Sequence, residues 1–558
     1  MLGLKRREIT QICILLMICG LLFFAGMDLR SLWEPDEARH SEMAREMLES
    51  GDWVTTRLNY VNYFEKPVFT FWLLAASFKI FGVSETSARL VPVVCATLTV
   101  LLVYFMGRRL WNGNAGLWSG ICLATTLMYI GIAQIILVDM PLLLGVTLAI
   151  YGALVVRDGQ GYGRYLCAIG AAIGFLSKGV LGIGLPGLMI LCFIILSKEW
   201  GLLRQLLKLR VILFFLLLCA PWYVIMSIKN PEYFTYFWQD HVERLFTDRQ
   251  SRWEPPYFYL GVLAVGFLPW IVMLPWALKQ LWPGFRQLRL PANRACLWVC
   301  IWFFIFFLFF SISSSKMYHY ALPMLPPFSL IIGWGMSQFI SYGLEGDNSL
   351  FLCRSLTVLA IILLICGISI PIALSFVREL VTFRAGLGGL ILPLIMIVAS
   401  LLIFIWRKRW WMAIVGPLAF ALVVIICSGA VVNHFDNWRS VKGILKAVEL
   451  DLRPTDKLVS YGDMYYGLSF YGQRRVVAVK RWGELEYGRA NADDNAQWFL
   501  PKYDEMFNMM NSSRERVVVL CRLRDYAMLE EAAREVPGLK LFEWVKLDGK
   551  VLFSNHPR

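Results

Sequence analysis

The sequence predicts a polytopic α-helical membrane protein that ends in a small soluble α/β domain. The chain is 58% hydrophobic and 15% aromatic over 558 residues, with its apolar residues gathered into long runs, which describes a membrane protein and not a stack of soluble domains. The Lys and Arg residues behind a formal net charge of +14 sit in short clusters between those runs. Such clusters set topology and suit anionic lipid headgroups; a nucleic-acid binder would gather them on one soluble face. After Val432 the composition changes, so residues 1–432 are expected to form the membrane part and 433–558 the soluble domain.

The first span is expected over Ile9–Met27, with Lys5, Arg6 and Arg7 holding the N-terminus in the cytoplasm. The acidic stretch that follows is then outside, and Ser41–Glu49, with Met43, Met47 and Leu48 on one side, reads as a helix lying on the membrane surface. Pro67–Val83 is only about 16 residues, short of the roughly 20 that cross a bilayer, and is placed at the interface. Ser87–Met106 is the second span. Further spans are expected near 115–137, 140–156, 165–177, 180–197, 211–228, 257–278, 295–314, 321–341, 355–377, 386–406 and 411–432. The loops that alternate to the inside all carry basic residues, which supports about thirteen spans and an outside C-terminus. Residues 28–86 and 229–256 form the large outer loops. In the tail, short β-rich runs (Leu458–Tyr461, Arg475–Val479, Val517–Leu520, Leu541–Val545, Val551–Ser554) alternate with helical stretches (Val441–Leu450, Ala527–Glu535), and Asp548–Gly549 reads as a tight hairpin turn. Most of the 13 cysteines lie inside apolar runs without zinc-like spacing and read as small core residues.

The chemistry is expected in the outer loops, above all in Leu32–Pro67. Asp36 and Glu37, with Glu34 nearby, could act as a base, hold a metal or orient a substrate; Trp33 before them and Arg39 after them favour function over a solvated turn. Asp139 follows the apolar run Ile130–Val138, and ionisable groups at such depth are expensive enough to suggest function. Tyr63, Glu65 and Lys66 offer a cation and a carboxylate, and Lys178 another cation at an outer helix end, although an ion pair or a snorkelling anchor would explain them as well. His241 is one of five histidines; with Glu65 it makes half a metal shell, while Arg244 suits a phosphate. Lys316 and Tyr320 end a very apolar span on the same face. The GxGxxG match at Gly182–Gly187 lies inside an apolar segment and reads as close helix packing, and no nucleotide cofactor is expected. A lipid-linked-sugar transporter is the rival from another class. It should place charges near the bilayer midplane in two related halves, whereas here they sit at outer helix ends.

WEPDEARH, NYFEKP, Asp139-Met-Pro, FLSKG, HVERL and SSSKMYHYALPMLPP occur together, in this order, across the membrane part. In these motifs the chain resembles the lipid-linked-sugar glycosyltransferases of the C-type fold, and within them the bacterial aminoarabinose transferases that modify lipid A, relatives of the protein O-mannosyltransferases. The resemblance implies a donor of undecaprenyl phosphate carrying 4-amino-4-deoxy-L-arabinose, a lipid A phosphate as acceptor, and work on the periplasmic face of a bacterial inner membrane, with polymyxin resistance as the outcome. A related transferase with another sugar and a protein, glycan or lipid acceptor is the alternative. Carried over residue by residue, Asp36 and Asp139 become catalytic or sugar-orienting carboxylates, and Lys66, Arg244 and Lys178 hold the donor phosphate. Glu65 and His241 match a zinc position, and Arg39, Tyr63 and Tyr320 line the cavity. His40 departs from the pattern, where tyrosine is expected.

Overall fold

The structure is a computed structural model that describes residues 6–241, 254–342 apart from 289, 291 and 292, a few positions between 354 and 361, and 436–558 apart from 437, 491–496, 513 and 514. The expected spans at 355–377, 386–406 and 411–432 lie outside the described residues, as does Arg244; His241 closes a described helix, but its side chain is not described.

In chain order the helices of the first part are α1 (Arg6–Cys19), α2 (Asp36–Ser50), α3 (Phe69–Phe81), α4 (Glu85–Leu110), α5 (Gly113–Ala124), α6 (Leu127–Ala133), α7 (Asp139–Arg157), α8 (Gly163–Lys178), α9 (Val180–Ser197), α10 (Trp200–Leu206), α11 (Leu209–Lys229), α12 (Tyr233–His241), α13 (Phe258–Gly266), α14 (Leu274–Arg286), α15 (Arg294–Ile312) and α16 (Leu325–Tyr342). A two-stranded hairpin, β1 (Arg57–Leu58) with β2 (Val61–Asn62), follows α2. Among the described residues six segments are long and apolar enough to cross a membrane: Arg6–Phe24, α4, α7, α9, α11 and α15. Two expected single spans are instead broken. Residues 115–137 become α5 and α6, bent by 66°, and 257–278 become α13 and the segment Trp270–Gly284 that runs into α14, bent by 101°. Thr125 and Thr126 stand at the first bend and turn their hydroxyls back onto the carbonyls of Ile121 and Cys122, a competition that bends helices. Pro269, which cannot donate to a helix ladder, stands at the second. Pro67–Val83 is the short helix α3, as its length predicts.

The chain divides into two compact units. One comprises residues 1–26, 92–224 and 234–430; the other comprises 27–91, 225–233 and 431–558. This differs from the division expected at residue 432, because the first outer loop packs with the tail. In the first unit, α7 and α8 form a hairpin whose backbones touch through glycine. A Cβ on Gly152 would stand 2.3 Å from the Cys167 amide, and one on Gly170 the same distance from that of Ala149. Close approach of this kind is what small residues allow between apolar helices. It brings the start of α7, Asp139, level with the end of α8, Lys178. Gly182 of the GxGxxG match does pack closely, 2.0 Å from the Gly174 carbonyl oxygen for an added Cβ, whereas Gly184 and Gly187 face open space.

The second unit holds a mixed six-stranded sheet of β3 (Lys457–Tyr461), β4 (Val477–Val479), β5 (Phe499–Leu500), β6 (Val517–Arg522), β7 (Phe542–Leu547) and β8 (Lys550–Ser554), in the order β5-β4-β3-β6-β8-β7. The strands from β5 to β6 run parallel, and β8 and β7 close the edge antiparallel. Alternate residues Val459, Tyr461, Val517, Val519 and Cys521 bury one face against Met506, Phe507 and Leu529. Asp548 and Gly549 both have positive φ, as the two-residue hairpin requires. The tail helices are α17 (Lys442–Lys446), α18 (Tyr466–Gly472), α19 (Glu486–Ala490), α20 (Tyr503–Ser512) and α21 (Leu523–Arg534).

Candidate active site

The expected site residues gather in two clusters, one in each unit. In the unit formed by the first loop and the tail, helix α2 begins five residues before the expected Ser41, so Asp36 and Glu37 occupy its first turn, where the helix dipole favours carboxylates. Gly51, in the left-handed conformation with φ 66°, ends it. The two neighbouring acids have different surroundings. Glu37 is 2% exposed and holds Arg30 through both oxygens, at 2.5 and 2.8 Å, with Arg89 at 3.3 Å and the Trp33 amide at 3.2 Å. Burial pushes its carboxyl up, but the two guanidiniums win and hold it below the usual carboxylate range. Arg89, fully buried at the start of α4, also donates to the carbonyls of Met27, Arg30 and Ser31 at 2.6–2.8 Å. Glu37 therefore fixes the loop, and the catalytic place expected for it is filled by a structural ion triad. The Asp36 side chain, by contrast, is 43% exposed and, among the described residues, is held by Arg39 at 2.7 Å.

Arg39 is buried and makes a second ion pair, with Glu484 of the tail. Burial disfavours its charge, yet Tyr63, Glu484 and Asp36 around it raise its pKa. Tyr63 donates to Glu484 at 2.6 Å and lies 3.3 Å from Glu65, and Lys66 stands 3.8 Å from Glu65. Glu484 keeps its carboxyl below the ordinary range in spite of burial, through Arg39, Tyr63 and Lys66. Asp36, Arg39, Tyr63, Glu65 and Lys66 thus belong to one charged network. His40 is buried beside the ring of Phe71, 5.8 Å between centroids.

The tail anchors this loop at several points. The Glu34 carboxyl group accepts from the amides of Tyr466 (3.1 Å) and Gly467 (2.6 Å). Asp436 accepts from the Ser31 amide (2.9 Å), the Ser31 hydroxyl (2.5 Å) and the Trp33 indole (3.1 Å). The Leu32 amide donates to the Tyr471 hydroxyl at 2.8 Å, and Asn59 exchanges two hydrogen bonds with the backbone of Val476.

In the other unit, Asp139 opens α7 and receives the Lys178 ammonium at 2.6 Å. Both line a narrow crevice that is otherwise apolar, walled by Leu142, Val146, Leu185, Phe306 and Phe310, with Tyr320 at its edge. The ammonium also lies over the Tyr320 ring, 4.3 Å from its centroid. Lys316 is buried and donates to the Ser313 carbonyl at 2.6 Å, closing its own turn; it is not among the crevice-lining residues. His319, which the motif reading passed over, stands on the other side of Asp139, with Nε2 3.7 Å from Oδ2.

A crystal structure of ArnT from Cupriavidus metallidurans bound to undecaprenyl phosphate superposes with a TM-score of 0.81 over 98% of each chain, at 23% identity. The chain has the C-type glycosyltransferase fold. The sequence profile of the dolichyl-phosphate-mannose-protein mannosyltransferase family matches residues 65–225. This glycosyltransferase is also 29% identical over 548 residues, 95% of its length and 91% of the relative's, to undecaprenyl phosphate-alpha-4-amino-4-deoxy-L-arabinose arabinosyl transferase 2 of Pseudomonas fluorescens. It is 32% identical over 364 residues to the corresponding transferase of Pseudomonas aeruginosa, a stretch that spans 65% of that protein. Together with the apolar helices these relatives make it a multi-pass inner-membrane enzyme.

The described residues contain no group of three or more His, Cys, Asp or Glu side chains placed to hold a metal. Glu65 faces Tyr63 and the cation of Lys66, which already supplies positive charge beside it.

Proposed function

We propose that this enzyme moves 4-amino-4-deoxy-L-arabinose from undecaprenyl phosphate to a phosphate of lipid A, with inversion at the anomeric carbon. The observation that carries the reading is the alignment along nearly the whole chain with an aminoarabinose transferase. The geometry supports the chemistry: a buried carboxylate–ammonium pair beside an apolar crevice suits a lipid phosphate that bears a sugar. Lys66 and Lys178, with Arg244, stabilise the charge that develops on the departing lipid phosphate. Asp139 orients the sugar. Asp36, the open member of the acidic pair, positions the sugar amine when the acceptor is an ionised phosphate and removes a proton when it is a hydroxyl. Arg39 and Tyr63 hold Asp36 and its surroundings in place. A divalent cation, zinc by the resemblance, would take Glu65 and His241; when bound it would add positive charge near the leaving phosphate, and no step above runs through it. In this reading the N-terminus is cytoplasmic, about thirteen spans cross the inner membrane, and the tail is periplasmic.

A second reading keeps the polyprenyl-phosphate donor but changes the sugar, with a protein, glycan or lipid acceptor. The mannosyltransferase profile over 65–225 and the histidine at position 40 favour it. Purified enzyme, labelled undecaprenyl-phosphate aminoarabinose and lipid A decide between them. The first reading expects lipid A heavier by one aminoarabinose in mass spectrometry, and expects Asp36→Asn to abolish that product while the protein stays folded. Intact donor after incubation with active protein, or normal turnover by folded Asp36→Asn, overturns it.

A further inference from the structure

We infer that His319 is a positioning residue for Asp139, acting from behind the carboxylate that the crevice exposes. The inference rests on the transferase reading and deepens it. The two oxygens of Asp139 have different partners: Oδ1 takes the Lys178 ammonium at 2.6 Å, and Oδ2 faces His319 Nε2 at 3.7 Å. The side chains are nearly closed to solvent, 7% exposed for Asp139 and His319 and 15% for Lys178. Asp139, Lys178 and Tyr320 line the crevice, and His319 faces Asp139 from outside that lining.

The imidazole is itself held. It sits on the 3-10 turn Tyr318–Met324, and its ring packs edge-on against the neighbouring rings of Tyr318 (5.2 Å, 86°) and Tyr320 (4.9 Å, 89°). Just before the turn, the Met317 carbonyl accepts from the Tyr259 hydroxyl at 3.2 Å. A carboxylate beside a flexible lysine can rotate about its own axis, and a fixed imidazole facing the second oxygen restrains that rotation. The separation is longer than a direct hydrogen bond, so the hold is electrostatic, and it strengthens as a substrate displaces water from an apolar site. When a donor phosphate draws Lys178 toward itself, His319 still faces Oδ2 and helps keep Asp139 aimed at the sugar.

The test uses the full-length enzyme in detergent with labelled donor lipid, comparing His319→Gln, His319→Asn and His319→Phe. A glutamine amide ends where Nε2 sits, an asparagine amide where Nδ1 sits, and phenylalanine fills the volume without a polar atom. Positioning through Nε2 predicts that His319→Phe and His319→Asn lose kcat on the order of 10–100-fold, the scale of outer-shell partners, with the donor KM changed less than about twofold. His319→Gln recovers to within about threefold of the parent. A packing role predicts the reverse order, with His319→Phe active and His319→Gln impaired, and that order overturns the inference, as does full kcat in folded His319→Asn. Asp139→Asn separates the two levels. If it is inactive while His319→Asn is fully active, only the His319 inference fails; if it turns over normally, the transferase reading of Asp139 fails as well.

Discussion

The two carboxylates assigned to the reaction are held in opposite ways. Asp36 stands in a dense network: Arg39, Glu484, Tyr63, Glu65 and Lys66 neutralise one another around it, and Glu37, Arg30 and Arg89 lock the backbone beneath it. Asp139 stands against an apolar wall, with the Lys178 ammonium and the His319 imidazole facing its two oxygens. In the first cluster precision comes from redundancy. In the second it comes from low dielectric, where each charge counts for more because little else screens it. Substitutions in the network should therefore divide into those that break its foundation and those that only loosen its upper layer, whereas around Asp139 every change should reach turnover.

The largest effect is expected at the foundation. Arg89→Met keeps an unbranched apolar stem but takes this donor from three carbonyls and one of its two guanidiniums from Glu37. Removing one partner of a buried pair costs about 3–5 kcal/mol, and the expected outcome is a marked fall in thermal stability in detergent together with loss of transfer. An unchanged melting temperature would show that the triad does not carry the loop, and would erase the contrast between the clusters.

A smaller and more selective effect is expected one layer up. Glu484→Gln removes the charge that shares Arg39 with Asp36 while keeping an acceptor for Tyr63. Arg39 should then swing wholly onto Asp36. Transfer should fall roughly 10–100-fold with little change in melting temperature, read by kcat at saturating donor. If activity and melting temperature fall together, Glu484 belongs to the foundation instead.

How much of this was legible in the sequence follows from how local each feature is. The ends of α7, α8, α9 and α15 follow from apolar runs bounded by charge, and Asp139 was visible because it interrupts one. The bends at Thr125–Thr126 and near Pro269 were missed because hydropathy counts apolar residues without registering which carbonyls a threonine captures. The early start of α2 has a local signal, a proline followed by two acids suited to a first turn, but the sequence reading weighs those acids for chemistry and begins the helix only at Ser41. Arg89 was hidden inside the start of a segment taken as a span. Glu484, Asp436 and Tyr471 sit some 400 positions from the loop they hold, and nothing in either stretch names the other. The same distance explains why the tail was read as a separate domain.

The smallest effect tests the anchor between the loop and the tail by pH. Glu34 is buried, which raises its carboxyl to about 8, although the amides of Gly467 and Tyr466 and the charges of Lys550 and Arg39 pull it back. Lys550, which donates to the carbonyls of Trp438 and Ser440, is lowered by burial to about 8. Between pH 5 and 7.5 Lys550 is protonated both folded and unfolded, so it adds no pH dependence there. Glu34 keeps its proton in the folded protein over that window and loses it when unfolded, so its contribution to stability declines as pH rises from about 5 toward 8. The parent should thus melt a few degrees lower at pH 7.5 than at pH 5.5, and Glu34→Gln, which carries no proton to lose, should flatten that slope while still accepting from the Gly467 amide. An identical slope in the parent and the variant would show that Glu34 meets the tail as an ionised carboxylate, and would place it with the charged network around Asp36 instead of with the buried anchor.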